Sequence, residues 1–118
     1  MIIGRLYQKT VSGKKTLAYF ERDRVRSGRN AAECIAGYNN IGQISLCVSF
    51  NGDSVIANCD ISGNIRKGGG LYGRVLAKCE DGIIFEGSDS KGKILAHFDG
   101  DMYGAAAALA VVVLQLPC

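Results

Sequence analysis

Short stretches of alternating apolar and polar residues recur through the first hundred residues, and they share one pattern. Each copy reads Leu or Ile, then Ala, a variable residue, an aromatic residue or Cys, and last an acid or Asn. The alanines are separated by 18, 21, 20 and 19 residues. A period of about 20 residues indicates a repeated structural unit. The copies are 17–21 (LAYFE), 35–39 (IAGYN), 56–60 (IANCD), 76–80 (LAKCE) and 95–99 (LAHFD).

Each unit divides into two β-strands, because a turn dipeptide ending in Gly lies a few residues before the repeated Ala in most copies. Five units therefore predict about ten short antiparallel strands over residues 3–99. Alternation along a strand assigns its faces. His97 falls on the outer side. The side that we expect to face the core carries Thr16, Ala18, Phe20, Cys34, Ala36, Tyr38, Val55, Ala57, Cys59, Val75, Ala77, Cys79, Ile94, Ala96 and Phe98.

A helix is predicted over residues 102–116, with Asp101 as its N-cap. The segment has no polar face, so it must be buried on all sides. A row of alanines on the strands and four consecutive alanines in the helix allow close packing. We predict an all-β domain in which the strands form a barrel or strongly curved sheet around this helix. The alternative is an open sheet whose helix pairs across a homodimer.

Residues 80–88 (EDGIIFEGS) and 97–101 (HFDGD) resemble uncharacterised small bacterial proteins built from tandem Asp-Gly-x-Ile-Tyr-x-Gly-Ser hairpins. The resemblance covers the second half of the chain, and the first half follows it in pattern only. The plan of hairpins followed by an apolar C-terminal helix is also similar to tubby-like and scramblase-like barrels, in which such a helix threads the barrel. That second resemblance implies a fold and transfers no functional residue.

Composition narrows the class of protein. The chain has 118 residues, 47% hydrophobic and 21% charged, with a net charge of +3, which suits one domain spanning 1–118. It is neither a disordered chain nor a strongly basic nucleic-acid tail. The start of the sequence does not read as a secretory signal, so a cytoplasmic location is expected. The longest apolar run, 105–114, is shorter than the roughly 20 residues of a membrane span.

Metal and nucleotide chemistry find little support in the sequence. Five Cys without a Cys-x-x-Cys pair and a single His predict reduced, mostly buried thiols and no metal or other cofactor. Residues 87–93 (GSDSKGK) match the start of a phosphate-binding loop, but Ile94 replaces the Ser or Thr that holds Mg²⁺. The repeated acidic position could suggest calcium, but we expect its members to stabilise turns. They are Glu21, Asn39, Asp60, Glu80 and Asp99.

The densest charged segment contains Arg22, Arg24, Arg26 and Arg29, and Arg24 and Arg26 should point to the outer side of one strand. Such a cluster can contact an anion. His97 is a further candidate, although no orienting partner or catalytic set is evident. We therefore predict a non-enzymatic binding module that contacts an acidic partner. The alternative is an enzyme or binding protein for a small anionic ligand, with a pocket at a barrel mouth or subunit interface. Nucleic acid is less favoured, because no aromatic row accompanies the arginines.

Overall fold

A computed structural model of the chain describes residues 4–21, 24–28, 34–46, 55–68, 74–89 and 91–115. These residues form ten strands and one helix. The strands are β1 (Gly4–Thr10), β2 (Gly13–Glu21), β3 (Arg24–Ser27), β4 (Cys34–Tyr38), β5 (Gln43–Leu46), β6 (Val55–Cys59), β7 (Asn64–Lys67), β8 (Val75–Glu80), β9 (Ile83–Glu86) and β10 (Ile94–Asp99). Helix α1 (Met102–Ala108) follows and continues with π-helical geometry over Leu109–Val113.

The sheet is a closed barrel, because β1 pairs with β10 as well as with β2. All neighbouring strands that the structure describes run antiparallel. The predicted barrel with a C-terminal helix is confirmed, and the alternative of an open sheet is wrong. Residues 87–93, which resemble the start of a phosphate-binding loop, join strand β9 to strand β10 rather than a strand to a helix.

A one-residue shift of register occurs in the second strand of each hairpin, at the Leu or Ile that precedes the repeated Ala. On β2, for example, Ala18 pairs with Leu6 and Thr16 pairs with Tyr7, so Leu17 is the extra residue. Such a bulge bends a strand and increases its twist, which helps a sheet to close. It also reverses the faces before the Ala. The expectation that Thr16, Cys34, Val55, Val75 and Ile94 face the core is therefore wrong: none is buried, and Ile94 is 49% exposed.

Small and large side chains alternate around the barrel interior. Each repeated Ala pairs with a buried aliphatic residue on the preceding strand, as Ala57 does with Ile44 and Ala77 with Ile65. The five alanines and the five aliphatic residues are all fully or almost fully buried. They are Ala18, Ala36, Ala57, Ala77 and Ala96, with Leu6, Val25, Ile44, Ile65 and Ile84. This alternation leaves room for a helix along the axis.

The helix fills that space with small residues. Asp101 caps it, since its carboxylate accepts a hydrogen bond from the Tyr103 N–H at 3.1 Å. Residues 104–110 are buried, and a Cβ on Gly104 would lie 2.3 Å from the Phe20 ring. The final turn is wider, because the Leu114 N–H bonds to the Leu109 carbonyl at 2.9 Å. The described helix ends at Val113, short of the predicted end at 116, and residues 116–118 lie outside the described residues.

Tight turns between consecutive hairpins form one end of the barrel. Asn39 and Asp60 each accept two backbone N–H groups of their own turn, at 2.9–3.1 Å. Burial opposes ionisation of Asp60, but the Arg66 guanidinium at 2.7 Å and the turn N–H groups hold its pKa below the ordinary 3.8. At Asn39 and Asp60 the repeated polar position therefore stabilises turns, as expected. Among the described residues no three potential metal ligands cluster.

Cys59 and Cys79 should resist thiol reagents in the native protein. Both are buried, and a hydrogen bond with the Cys59 thiol together with burial raises the pKa of Cys79 above its ordinary 9.0. Reagents attack the thiolate, so we expect labelling only as fast as the barrel unfolds. Timed alkylation with peptide mapping measures this, and denatured protein is the control. Rapid native labelling of Cys59 would show that this part of the core is open.

Candidate functional site

The predicted site residues lie on two separate strands. Arg24 is exposed on β3, and Arg26, on the same side of that strand, is half-buried with its Nε 3.4 Å from Glu21 Oε1. His97 is half-buried on β10. Arg22 and Arg29 lie outside the described residues. The arginines and the histidine are thus separated by β1 and β2, and those two strands decide whether they share one surface.

Closure of the barrel joins the four strands into one continuous outer surface. One row of paired residues crosses it: Asp99 on β10 pairs with Arg5 on β1, Arg5 pairs with Tyr19 on β2, and Tyr19 pairs with Arg26 on β3. The surface carries the outward basic side chains Arg5, Lys9, Lys14, Arg24 and Arg26, which we call the basic face. His97 lies at its β10 edge.

Tyr7 is the centre of the most crowded part of this surface. The Arg5 guanidinium carbon lies 5.1 Å and the Lys14 Nζ 4.6 Å from the centroid of its ring. The His97 ring stacks on Tyr7 at 5.6 Å between centroids, with 19° between the planes. Only 7% of Tyr7 is exposed, although it points away from the core. An aromatic face attracts cations, so Tyr7 holds positive charge at a fixed place on the barrel.

Positive charge is further concentrated at the tip of the first hairpin. Lys9 and Lys14 are direct partners on the β1–β2 ladder, and both are exposed. Like charges opposite each other on a sheet repel and cost stability. An anion bound between the two side chains removes that repulsion. The arrangement therefore favours anion binding more than a single exposed lysine does.

The basic face is a local concentration of positive charge. It contributes five of the chain's 14 basic side chains. Two of its arginines pair with carboxylates that the structure describes: Arg5 with Asp99 and Arg26 with Glu21. A concentration of one sign of charge produces a field that attracts oppositely charged partners.

A cleft of about 210 Å³ opens beside this surface, where β1 and β10 separate. The two strands pair from Arg5 to Tyr7, and the register stops at the pair of Tyr7 with His97. Beyond that point the Gln8 side chain donates to the Leu95 carbonyl at 3.2 Å. The cleft is lined by Gln8, Lys9, Thr10, Ile94, Leu95, Ala96 and His97.

The environment of His97 favours its neutral form. Burial, followed by the charges of Lys9 and Lys14, lowers the pKa of His97 below its ordinary 6.5. Its Nδ1 is buried without a hydrogen-bond partner among the described residues. No carboxylate that the structure describes bonds to Nδ1.

The comparisons with known proteins supply no functional assignment. No family model, curated protein or solved structure compared with this chain matches it. Within the described residues no helix is long and apolar enough to cross a membrane.

Sequence reasoning missed the residues that complete the site, which are Arg5, Tyr7, Lys9 and Lys14. A signal for part of it was present, because a turn at Ser12–Gly13 places Lys9 and Lys14 on opposing strands. The contact between Tyr7 and His97 gave no such signal. It depends on closure between two strands that lie about ninety residues apart in the chain.

Proposed function

We propose that this domain is a non-enzymatic binding module whose basic face contacts an acidic partner. The main support is the concentration of five basic side chains, Arg5, Lys9, Lys14, Arg24 and Arg26, on the β1–β2–β3 surface. A rigid barrel holds these cations at fixed spacing, so less side-chain freedom is lost on binding than with a flexible basic tail. The buried free thiols suit a reducing compartment and support a cytoplasmic location.

Acidic protein is favoured over single-stranded nucleic acid by the aromatic residues of this surface. Proteins that bind single strands stack bases on exposed rings. Tyr7 is buried beneath Arg5, Lys14 and His97, and Tyr19 is half-buried within a row of paired residues. The surface therefore offers charge but little ring area. That combination fits carboxylate groups better than bases.

The alternative function, binding of a small anionic ligand, is favoured by one specific observation, the cleft between β1 and β10. Its 210 Å³ is less than the roughly 300 to 1,000 Å³ of most small-molecule sites. It can therefore receive a compact anionic group, but not most of a nucleotide.

Charge neutralisation on the basic face tests the proposed function. We expect the double variant Lys9→Gln/Arg24→Gln to bind a fluorescent poly-glutamate peptide several-fold more weakly at low salt, since each exposed ion pair contributes about 0.2 to 1 kcal/mol. Fluorescence anisotropy over a salt series measures the affinity. The difference should shrink as salt increases, because screening weakens exposed charge pairs.

The matched control is Lys67→Gln/Lys78→Gln. It gives the same net charge by changing β7 and β8, on another part of the barrel. Equal weakening in both double variants would mean that only total charge matters and would refute a defined binding face. Unchanged affinity in Lys9→Gln/Arg24→Gln would do so as well.

A further inference from the structure

We propose that the cleft between β1 and β10 binds a phosphate group, free or carried by a small metabolite, through Lys9, Lys14 and the His97 imidazole. This inference rests on the proposed function and deepens it, because it names the anionic group received at one point beside the basic face. The cleft is too small for a larger ligand to be enclosed. The group that enters must therefore be compact.

The side chains around the cleft match a compact dianion in number and kind. Lys9 lines it, and the Lys14 ammonium is held close by on the Tyr7 ring. Gln8 and Thr10 add polar side chains to the lining. Two ammonium groups that repel each other in the free protein are both offset by one doubly charged anion. A carboxylate carries only half of that charge.

His97 is the group that makes this a site rather than a pair of surface lysines. His97 lines the cleft, and its Nδ1 is enclosed without a hydrogen-bond partner among the described residues. If the ring is protonated, both nitrogens become donors and the ring carries a positive charge. An oxyanion bound in the cleft would offset that charge. The described residues that line the cleft include no carboxylate that could do so.

The other groups that face His97 do not supply this compensation. Its own strand contributes Asp99, which pairs with Arg5 at 3.4 Å. Strand β1 contributes Arg5, Tyr7 and Lys9, and β2 contributes Lys14. Strand β9 places the apolar Ile83 opposite His97. Positive charge thus predominates around the ring, and a bound anion reverses the sign of the field that His97 experiences.

The single histidine of the chain permits a direct measurement. The imidazole C2–H signal in a proton NMR spectrum belongs to His97 alone. Without phosphate we expect a titration midpoint below 6.5. Inorganic phosphate and methyl phosphate should each raise the midpoint and shift the signal with saturation, whereas acetate at equal ionic strength should change it far less. A response to inorganic phosphate alone identifies the free ion as the ligand, and a response to both identifies the phosphate group. No saturable response to either would overturn the proposal.

Single substitutions test which side chains bind the phosphate. We expect Lys9→Gln and Lys14→Gln each to weaken phosphate binding on the order of tenfold, as for the loss of a charged hydrogen-bond partner. Lys78→Gln removes the same charge from β8 and should leave binding unchanged. Equal weakening in Lys78→Gln, or none in Lys9→Gln, would show that phosphate associates with the protein's overall charge.

Sulfate isolates the role of His97, because sulfate stays doubly charged while phosphate itself titrates. Anion binding and protonation are reciprocal, so sulfate should bind more tightly as His97 becomes protonated. The increase should be absent in His97→Gln, which keeps a polar side chain that does not titrate. The same increase in sulfate affinity in His97→Gln would show that the imidazole does not take part in anion binding.

Failure of this inference can be told apart from failure of the proposed function. If poly-glutamate binds through the basic face and phosphate does not change the His97 signal, the proposed binding module is supported and the phosphate site is refuted. If phosphate binds with the expected variant effects and poly-glutamate does not bind, the phosphate site is supported and the acidic partner is refuted. The ligand of the domain is then a small phosphorylated molecule.

Discussion

Replacing Ala107 with Asp is expected to unfold the domain. Ala107 lies in α1 inside the barrel and has no exposed surface. A carboxylate there has neither water nor a cation within reach, and it adds volume to a packed interior. The cost is several kcal/mol, comparable to the roughly 5 to 15 kcal/mol that stabilise a domain. Circular dichroism with thermal or urea denaturation measures the loss.

Ile61→Asp is the matched control, because it introduces the same side chain where 88% of the residue is exposed. We expect its stability to stay within about 0.5 kcal/mol of the original protein. An Ala107→Asp protein that is as stable as Ile61→Asp would show that the helix does not occupy the barrel interior. Such a result would contradict the fold itself.

Gly63→Ala is also expected to destabilise the barrel. Gly63 has φ +91, a region that costs about 1 to 2 kcal/mol for Ala. Its Cβ would lie 2.2 Å from the Cys79 carbonyl oxygen, and the Cys79 N–H donates to the Gly63 carbonyl at 2.8 Å. The backbone must move and weaken that hydrogen bond. We expect a total loss of roughly 2 to 4 kcal/mol in urea denaturation.

Gly68→Ala separates the two causes. Gly68 has φ +79, but a Cβ there meets no atom within 4 Å among the described residues. It should therefore show the conformational cost alone, about 1 to 2 kcal/mol. Equal losses at the two glycines would mean that the close approach of the Gly63 turn to β8 contributes nothing to stability.

The ten strands and the buried helix follow from properties that a sequence displays directly. Recurrent alanines, apolar alternation and an apolar segment preceded by Asp101 are local signals, and each led to the correct element. The bulges are different. Alternation assumes one residue per side of the strand at every step, and Leu17 or Leu95 breaks that assumption without any change in composition. The face of Ile94 was therefore predicted wrongly.

Only part of the candidate site could be predicted from the sequence, for a related reason. A cluster of arginines can be found by reading along the chain, and Arg24 and Arg26 do lie on the outer side of one strand. Tyr7, Lys9 and Lys14 contribute to the candidate site because they lie next to His97. The β1–β10 pairing places His97 there, and this pairing depends on the number of strands and the curvature of the sheet. Neither quantity can be read from any single segment.

The β1–β10 seam makes the proposed anion site a property of the closed barrel. Arg5 and Asp99 are 94 residues apart in sequence, so their contact closes a loop that contains the strands from β2 to β9. Such non-local pairing is a slow step in folding. Strand β1 is synthesised before β10, so Lys9 and His97 come together only after β10 has joined the sheet. Occupancy of the proposed site by an anion would therefore report that β1 and β10 have paired.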